Sequence, residues 1–171
     1  YEQRPEAITA WLKTEYPRIK RRAVAEGAAI HWGDETSLST SDPRGRSFAP
    51  KGKTPVRPML SQRRAVSFLS TVSNTGTLRF MVLKKPLDAP TLIKFFTRLC
   101  RDADRKVFVI LDNLNVHKAR AVRAWVAAHA EAIALFYLPA YSPELNPDEY
   151  LNGDLKLSVA KRAPARDRDA L

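Results

Sequence analysis

Three acidic residues stand near the ends of predicted secondary-structure elements, where their side chains can reach a shared site. Asp34 lies in a short strand candidate, Asp112 follows an apolar run, and Glu149 lies in the first turn of the last predicted helix. Carboxylates that meet in one place repel one another unless a cation lies between them. Oxygen-only ligands suit Mg²⁺ or Mn²⁺, and two such ions about 4 Å apart can promote phosphodiester cleavage. The three acids are therefore consistent with a metal-dependent nuclease site.

Each acid also has a simpler interpretation. Asp34 could cap a turn, Asp112 could cap the helix that follows it, and Glu149 could stabilise a helix N-terminus. The spacing of the three residues leaves both interpretations open.

The predicted elements indicate how these acids could come together. The residues before Asp112 are apolar and β-branched, which is typical of a strand buried on both faces. A run of strands followed by alternating helices and strands predicts an α/β fold, with helices packed on a mixed sheet. Its first and fourth strands can be neighbours, which would place Asp34 beside Asp112, with Glu149 approaching from the last helix. Strands are predicted at 28–36, 63–73, 77–83, 106–111 and 133–138, and helices at 6–26 (broken at Pro17), 90–103, 116–129 and from Leu145 onward.

Charge points to the class of partner. The net charge is +11 and the pI is near 10.1, which favours a polyanion, nucleic acid first and an acidic membrane surface second. No apolar run approaches the ~20 residues that a membrane-spanning helix needs. The single cysteine, Cys100, excludes an internal disulfide and a cysteine zinc site, and favours a reducing compartment. The residues expected first to contact DNA are basic and lie in the polar segment 37–58: Arg44, Arg46, Lys51 and Lys53. The alternative is that this segment is a solvated loop.

Four segments resemble the DDE transposases of the IS630/Tc1-mariner superfamily. The resemblance extends over nearly the whole chain from about Pro5, and its most specific parts are the Asp-Asn-x-x-x-His run at 112–117 and the proline-punctuated run at 137–149. The segments are the Gly-Asp-Glu-Thr run at 33–36 and the runs at 49–56, 111–117 and 137–149.

The resemblance implies a ribonuclease H-like fold with a five-stranded mixed sheet, and two-metal DNA chemistry with Mg²⁺ or Mn²⁺. By motif match, Asp34, Asp112 and Glu149 form the metal-binding triad. In that family, water attacks a phosphodiester at the element's end, and the freed 3′-hydroxyl then attacks target DNA, commonly at a TA dinucleotide. The partners implied are the element ends, the target DNA and a second copy of the chain, with no membrane. The expected location is the bacterial cytoplasm, on the nucleoid.

The domain organisation follows from the same resemblance. Residues 1–27 are expected to form a helical lead-in from a missing N-terminal DNA-binding region, and residues 28–171 the DDE catalytic domain.

His117 and Lys118 are further candidates for DNA contacts, although His117 could instead orient a site group or pack locally.

The chain departs from the family pattern in two places. Asp148 replaces an apolar residue, which leaves two consecutive acids, and neighbours on a helix point about 100° apart, so only one can be the ligand. The motif selects Glu149, with Asp148 as the substitute. The run Asn152-Gly153-Asp154 replaces a stretch where the family often has an aromatic residue, although some members carry something similar. The alternatives to a working transposase are an inactive DNA-binding remnant, and a structure-specific or RNA-cleaving nuclease of the same fold.

Overall fold

Five strands form one mixed sheet in the computed structural model, which describes residues 3–39, 48–53 and 65–160. The apolar, β-branched runs become strands as predicted, although the first strand continues three residues beyond its expected end. The strands are β1 (Ala29–Ser39), β2 (Ala65–Ser73), β3 (Leu78–Leu83), β4 (Val107–Leu111) and β5 (Ile133–Tyr137). The prediction of a five-stranded mixed sheet flanked by helices is confirmed.

The strand order, β3-β2-β1-β4-β5, brings the first and fourth strands together. β1 pairs antiparallel with β2 and parallel with β4, and in the parallel ladder Trp32 lies opposite Ile110. Asp34 comes two residues after Trp32, and Asp112 comes two residues after Ile110, in the same direction along the sheet. Because side chains alternate between the faces of a strand, Asp34 lies on the same face as Trp32. The register therefore carries Asp34 and Asp112 to one region of the sheet.

Helices cover both faces of the sheet. They are α1 (Pro5–Ala10), α2 (Tyr16–Ala25), α3 (Ala89–Asp102), α4 (Arg120–Ala128) and α5 (Pro147–Ala160). On one face, α3 and α4 bury a core that includes Leu92, Phe96, Leu99, Val109, Leu111 and Val122. On the other face, the first helical segment contributes Trp11, Ile19 and Ala23 to a second core with Ile30, Trp32, Phe108, Ile110 and Leu138.

The first helix does not break at Pro17, contrary to the prediction. A π-helical turn, Trp11–Glu15, joins α1 to α2, and the Tyr16 N–H donates to the carbonyl of Trp11 at its end. Proline has no N–H to donate within a helix, and a local π turn is one way in which a helix continues past an irregularity. The continuous helix lets the rings of Trp11 and Tyr16 stack with their centroids 5.1 Å apart, against Trp32.

Two other helices differ from their predicted bounds. The helix expected at 116–129 is a 3₁₀ turn, Asn115–Lys118, followed by α4, because Ala119 takes an extended conformation (ψ 143°) between them. The last α-helix begins at Pro147 rather than Leu145, after a separate 3₁₀ turn, Pro143–Leu145. None of the helices in the described part of the chain combines the length and the apolar character that a membrane crossing requires.

The predicted lead-in helix packs on the sheet, since Trp11 and Ile19 are buried against it. Residues 3–25 therefore cover one face of the domain, and their connection to an upstream DNA-binding region stays a prediction.

Candidate active site

The three acids singled out in the sequence line one cavity of about 420 Å³ beside the C-terminal end of β4. Asp34 enters it from β1, Asp112 from the loop after β4, and Glu149 from the first turn of α5. Residues of the proline-rich loop, among them Tyr141 and Asn146, close the other side. The structure thus brings together residues that are far apart in the chain, while their roles as ligands stay a prediction.

Asp34 is the most perturbed of the three acids. The residue is only 9% exposed, and its Oδ1 accepts a hydrogen bond from the Glu35 N–H at 2.9 Å. Burial raises the pKa of Asp34 to about 7, and the negative charges of Glu149, Asp148 and Asp112 add to the effect. Asp34 therefore lies close enough to the other acids of the site for their charges to act on it.

Asp112 has the opposite electrostatic surroundings. Burial acts to raise the pKa of Asp112, but hydrogen bonds from His117 and from the Leu114 N–H outweigh it and hold the pKa below its usual value. The Nδ1 of His117 lies 2.9 Å from Asp112 Oδ1, and the Leu114 N–H donates to the same oxygen at 3.1 Å. Asp112 is therefore ionised at neutral pH, as a cation ligand must be.

The prediction that His117 contacts DNA is wrong, because its side chain is fully buried. The 3₁₀ turn after β4 folds the ring back onto Asp112, and the Tyr137 hydroxyl donates to the His117 carbonyl at 3.0 Å. His117 instead orients a site carboxylate, which the sequence analysis had given as an alternative. Asn113 fixes the neighbouring loop, since its Nδ2 donates to the Leu138 carbonyl at 2.6 Å.

The two consecutive acids of α5 have different surroundings. Asp148 is fully buried, and its Oδ2 accepts a hydrogen bond from the Ser70 hydroxyl of β2 at 2.7 Å. Burial raises the pKa of Asp148 to about 6, partly offset by that hydroxyl. Glu149 is exposed and lines the cavity. Because successive helix residues point about 100° apart, one acid faces the sheet while the other faces the cavity.

Two asparagines fasten the start of α5 to β1, and sequence reasoning did not assign them a role. Asn146 Nδ2 donates to the Gly33 carbonyl at 3.2 Å, and its Oδ1 accepts from the Asp148 N–H at 3.1 Å. Asn152 Nδ2 donates to Asp34 Oδ2 at 3.0 Å. The only sequence signal for Asn152 was its place in a stretch that departs from the family pattern.

The donor set fits a hard divalent cation. Three carboxylates share one cavity, and oxygen ligands are those that Mg²⁺ and Mn²⁺ prefer. Within residues 3–39, 48–53 and 65–160, however, no three His, Cys, Asp or Glu side chains stand close enough to hold a metal ion. The three acids therefore line the cavity without forming, as they stand, a group that could hold a metal ion.

The predicted DNA-contacting residues are only partly described. Lys51 and Lys53 are exposed beside a turn, and Lys118 is exposed with its Nζ 5.2 Å from the centre of the Tyr137 ring. Arg44 and Arg46 lie outside the described residues.

Comparison with known families gives a match over most of the chain. The sequence model of one family, described as DDE superfamily endonuclease, matches residues 29–171. No curated relative matches the chain.

Solved structures of similar fold include several of the Mos1 transposase. The Mos1 strand transfer complex superposes with a TM-score of 0.75 at 20% identity, over 99% of this chain and 52% of that one. The Mos1 mariner paired-end complex with Mn gives 0.69 at 21% identity, over 92% and 50%. The isolated catalytic domain of Mos1 mariner transposase gives 0.61 at 20% identity, over 95% and 76%. The chain thus spans about half the length of the transposase in those complexes, and the likeness establishes a shared fold, the ribonuclease H-like fold of that catalytic domain.

Proposed function

Since the chain belongs to the DDE superfamily endonuclease family, we propose that it is the catalytic domain of a transposase that cuts and joins DNA with divalent cations. The substrate proposed is the pair of ends of an IS630-like mobile element. The observation that carries the proposal is the convergence of Asp34, Asp112 and Glu149 on one cavity, where the other carboxylates help to raise the pKa of Asp34.

In this proposal, those three acids hold Mg²⁺ or Mn²⁺, most simply as two ions. The cations would supply Lewis-acid activation of the attacking oxygen and charge stabilisation at the leaving oxygen of a phosphodiester. His117 keeps Asp112 ionised and fixes its orientation through the 2.9 Å contact. The buried hydrogen bond between Asp148 and Ser70 holds α5 on the sheet, which leaves Glu149 at the cavity.

The basic surface serves the same chemistry. A net charge of +11 attracts the phosphates of DNA, and Lys51, Lys53 and Lys118 are exposed. Arg44 and Arg46 complete the proposed contacts. The similar structures include Mos1 in strand transfer and paired-end complexes. By analogy, we propose that two copies of this chain hold two element ends, join them to target DNA at a TA dinucleotide, and work on the bacterial nucleoid with help from an upstream DNA-binding region.

The test compares Asp112→Asn with wild type in a Mn²⁺-dependent nicking assay on DNA that carries the element ends. We expect Asp112→Asn to lose more than about 100-fold in cleavage, because even removal of an outer-shell partner of a ligand costs roughly 10- to 100-fold. Its DNA affinity should be unchanged or higher. Asp154→Asn is the matched control, because it makes the same chemical change at an exposed position of α5. Equal cutting by Asp112→Asn and wild type would refute the assignment.

The second candidate is a DNA-binding remnant without catalytic activity. One observation favours it: in the described residues, no group of three acids could hold a metal ion as it stands. A wild-type chain that binds end-sequence DNA but does not cut it in the presence of Mn²⁺ would support the remnant.

A further inference from the structure

Asn152 occupies an unusual place for an asparagine in the interior of a helix. It is 1% exposed and lies on α5, one turn after the fully buried Asp148. Residues four apart share one face of a helix, so Asp148 and Asn152 together form the face that packs on the sheet. Burying an amide there is costly unless it is hydrogen-bonded.

The hydrogen bond that Asn152 makes is directed at a candidate ligand. Its Nδ2 donates to Asp34 Oδ2 at 3.0 Å, across 118 positions of sequence. The Glu35 N–H donates to the other oxygen, Oδ1, at 2.9 Å. Each carboxylate oxygen of Asp34 thus receives one donor, one from its own strand and one from α5.

The orientation of the Asn152 amide follows from this pairing. Exchanging its oxygen and nitrogen would set two acceptors against each other beside Asp34, so only the orientation with Nδ2 toward the carboxylate is favourable. The Oδ1 of Asn152 has no hydrogen-bond partner among the described residues, although it is buried. An unsatisfied buried oxygen lowers stability. A role in the site therefore explains Asn152 better than a contribution to stability does.

We propose that Asn152 is a positioning residue that holds the Asp34 carboxylate in the direction needed to bind a divalent cation. The inference rests on the proposed function for the identity of Asp34 as a ligand. Outer-shell donors of this kind orient ligating carboxylates and tune their affinity for the metal. The departure from the aromatic pattern at 152–154 is then a feature of this site, since it supplies the amide that donates to Asp34.

The test measures Mn²⁺ affinity by titration calorimetry on the whole chain, without DNA, for wild type, Asn152→Ala and Asn152→Leu. Alanine leaves space and leucine fills it, while both remove the donor. We expect both variants to bind Mn²⁺ about 10- to 100-fold more weakly. Asn74→Ala is the matched control. Asn74 Oδ1 accepts a hydrogen bond from Trp32 Nε1, and Trp32 lies on β1 like Asp34 but does not line the cavity. The Mn²⁺ affinity of Asn74→Ala should equal that of wild type.

Two results would overturn the proposal. One is a folded Asn152 variant with a lower thermal unfolding midpoint but wild-type Mn²⁺ affinity, which would make the residue merely structural. The other is measured on the wild-type protein, so it does not depend on the variants folding. In an NMR titration with Mg²⁺, we expect the side-chain amide signals of Asn152 to shift. Signals that stay fixed while the metal binds would contradict the inference. Because neither readout uses DNA cleavage, a chain that binds metal but never cuts would refute the proposed function and leave this inference intact.

Discussion

At the scale of single residues, Asp148 and Glu149 show how burial separates two acids that the sequence leaves adjacent. Asp148 is fully buried against Ser70, whereas Glu149 lines the cavity with Asp34 and Asp112. The motif alone selected Glu149, and the structure adds a physical reason for that choice. The choice itself stays a prediction until the two positions are exchanged for amides.

We expect Glu149→Gln to lose Mn²⁺-dependent cleavage by more than about 100-fold, because it removes a carboxylate from the cavity. Asp148→Asn should cost less than about tenfold, since the amide oxygen can still accept from Ser70. Single-turnover cleavage at saturating Mn²⁺ compares the two. A larger loss for Asp148→Asn than for Glu149→Gln would transfer the ligand role to Asp148.

At the scale of elements, Gly33 shows how tightly β1 packs beside the site. A β-carbon at this position would lie 2.8 Å from Leu111 Cδ2 and 3.1 Å from Thr71 Cγ2. Gly33 also supplies the carbonyl that Asn146 holds at 3.2 Å. The glycine therefore allows close contact between β1, its neighbours and the start of α5, which together position Asp34.

Gly33→Ala should lower the free energy of unfolding by about 1–3 kcal/mol, the usual cost of overpacking a core. Gly153→Ala is the matched control, because its β-carbon would meet nothing within 4 Å on α5. That change should stabilise the helix by about 0.5–1 kcal/mol. Urea unfolding measures both variants, and an unchanged midpoint for Gly33→Ala would show that β1 can adjust without cost.

Much of the element level was predictable from the sequence, and the exceptions have physical causes. The uniformly apolar run before Asp112 indicated a strand buried on both faces, and β4 is fully buried. The π turn before Pro17 and the extended Ala119 were not predictable, because tertiary packing selects these local conformations. The same applies to Asn152, whose partner is 118 positions away and becomes visible only in three dimensions.

At the scale of the whole molecule, we expect the acids of the cavity to make stability depend on pH and, if the proposed function holds, on divalent cations. The pKa of Asp34 is raised from 3.8 to about 7 in the folded state. Between these values the folded chain binds more protons than the unfolded chain, so the contribution of Asp34 to the free energy of unfolding falls as pH rises. His31, Asp88 and Asp112 act in the opposite direction, because their pKa values are lowered.

A comparison of wild type with Asp34→Asn isolates this contribution. Without metal, the stability of the variant relative to wild type should increase between pH 4 and pH 7.5, by on the order of a few kcal/mol. Mn²⁺ at pH 7.5 should stabilise wild type by mass action and leave the variant nearly unaffected. Urea unfolding at several pH values measures the difference. A difference that is independent of pH would mean that Asp34 ionises normally in the fold.

The most direct test of the central claim is a crystal of this chain soaked in Mn²⁺, with the ion located by its anomalous scattering. The account predicts an anomalous peak in the cavity, in contact with carboxylate oxygens of Asp34 and Asp112 and with Glu149 drawn toward it. Saturating Mn²⁺ that leaves this cavity empty, or that binds only elsewhere on the molecule, would contradict it.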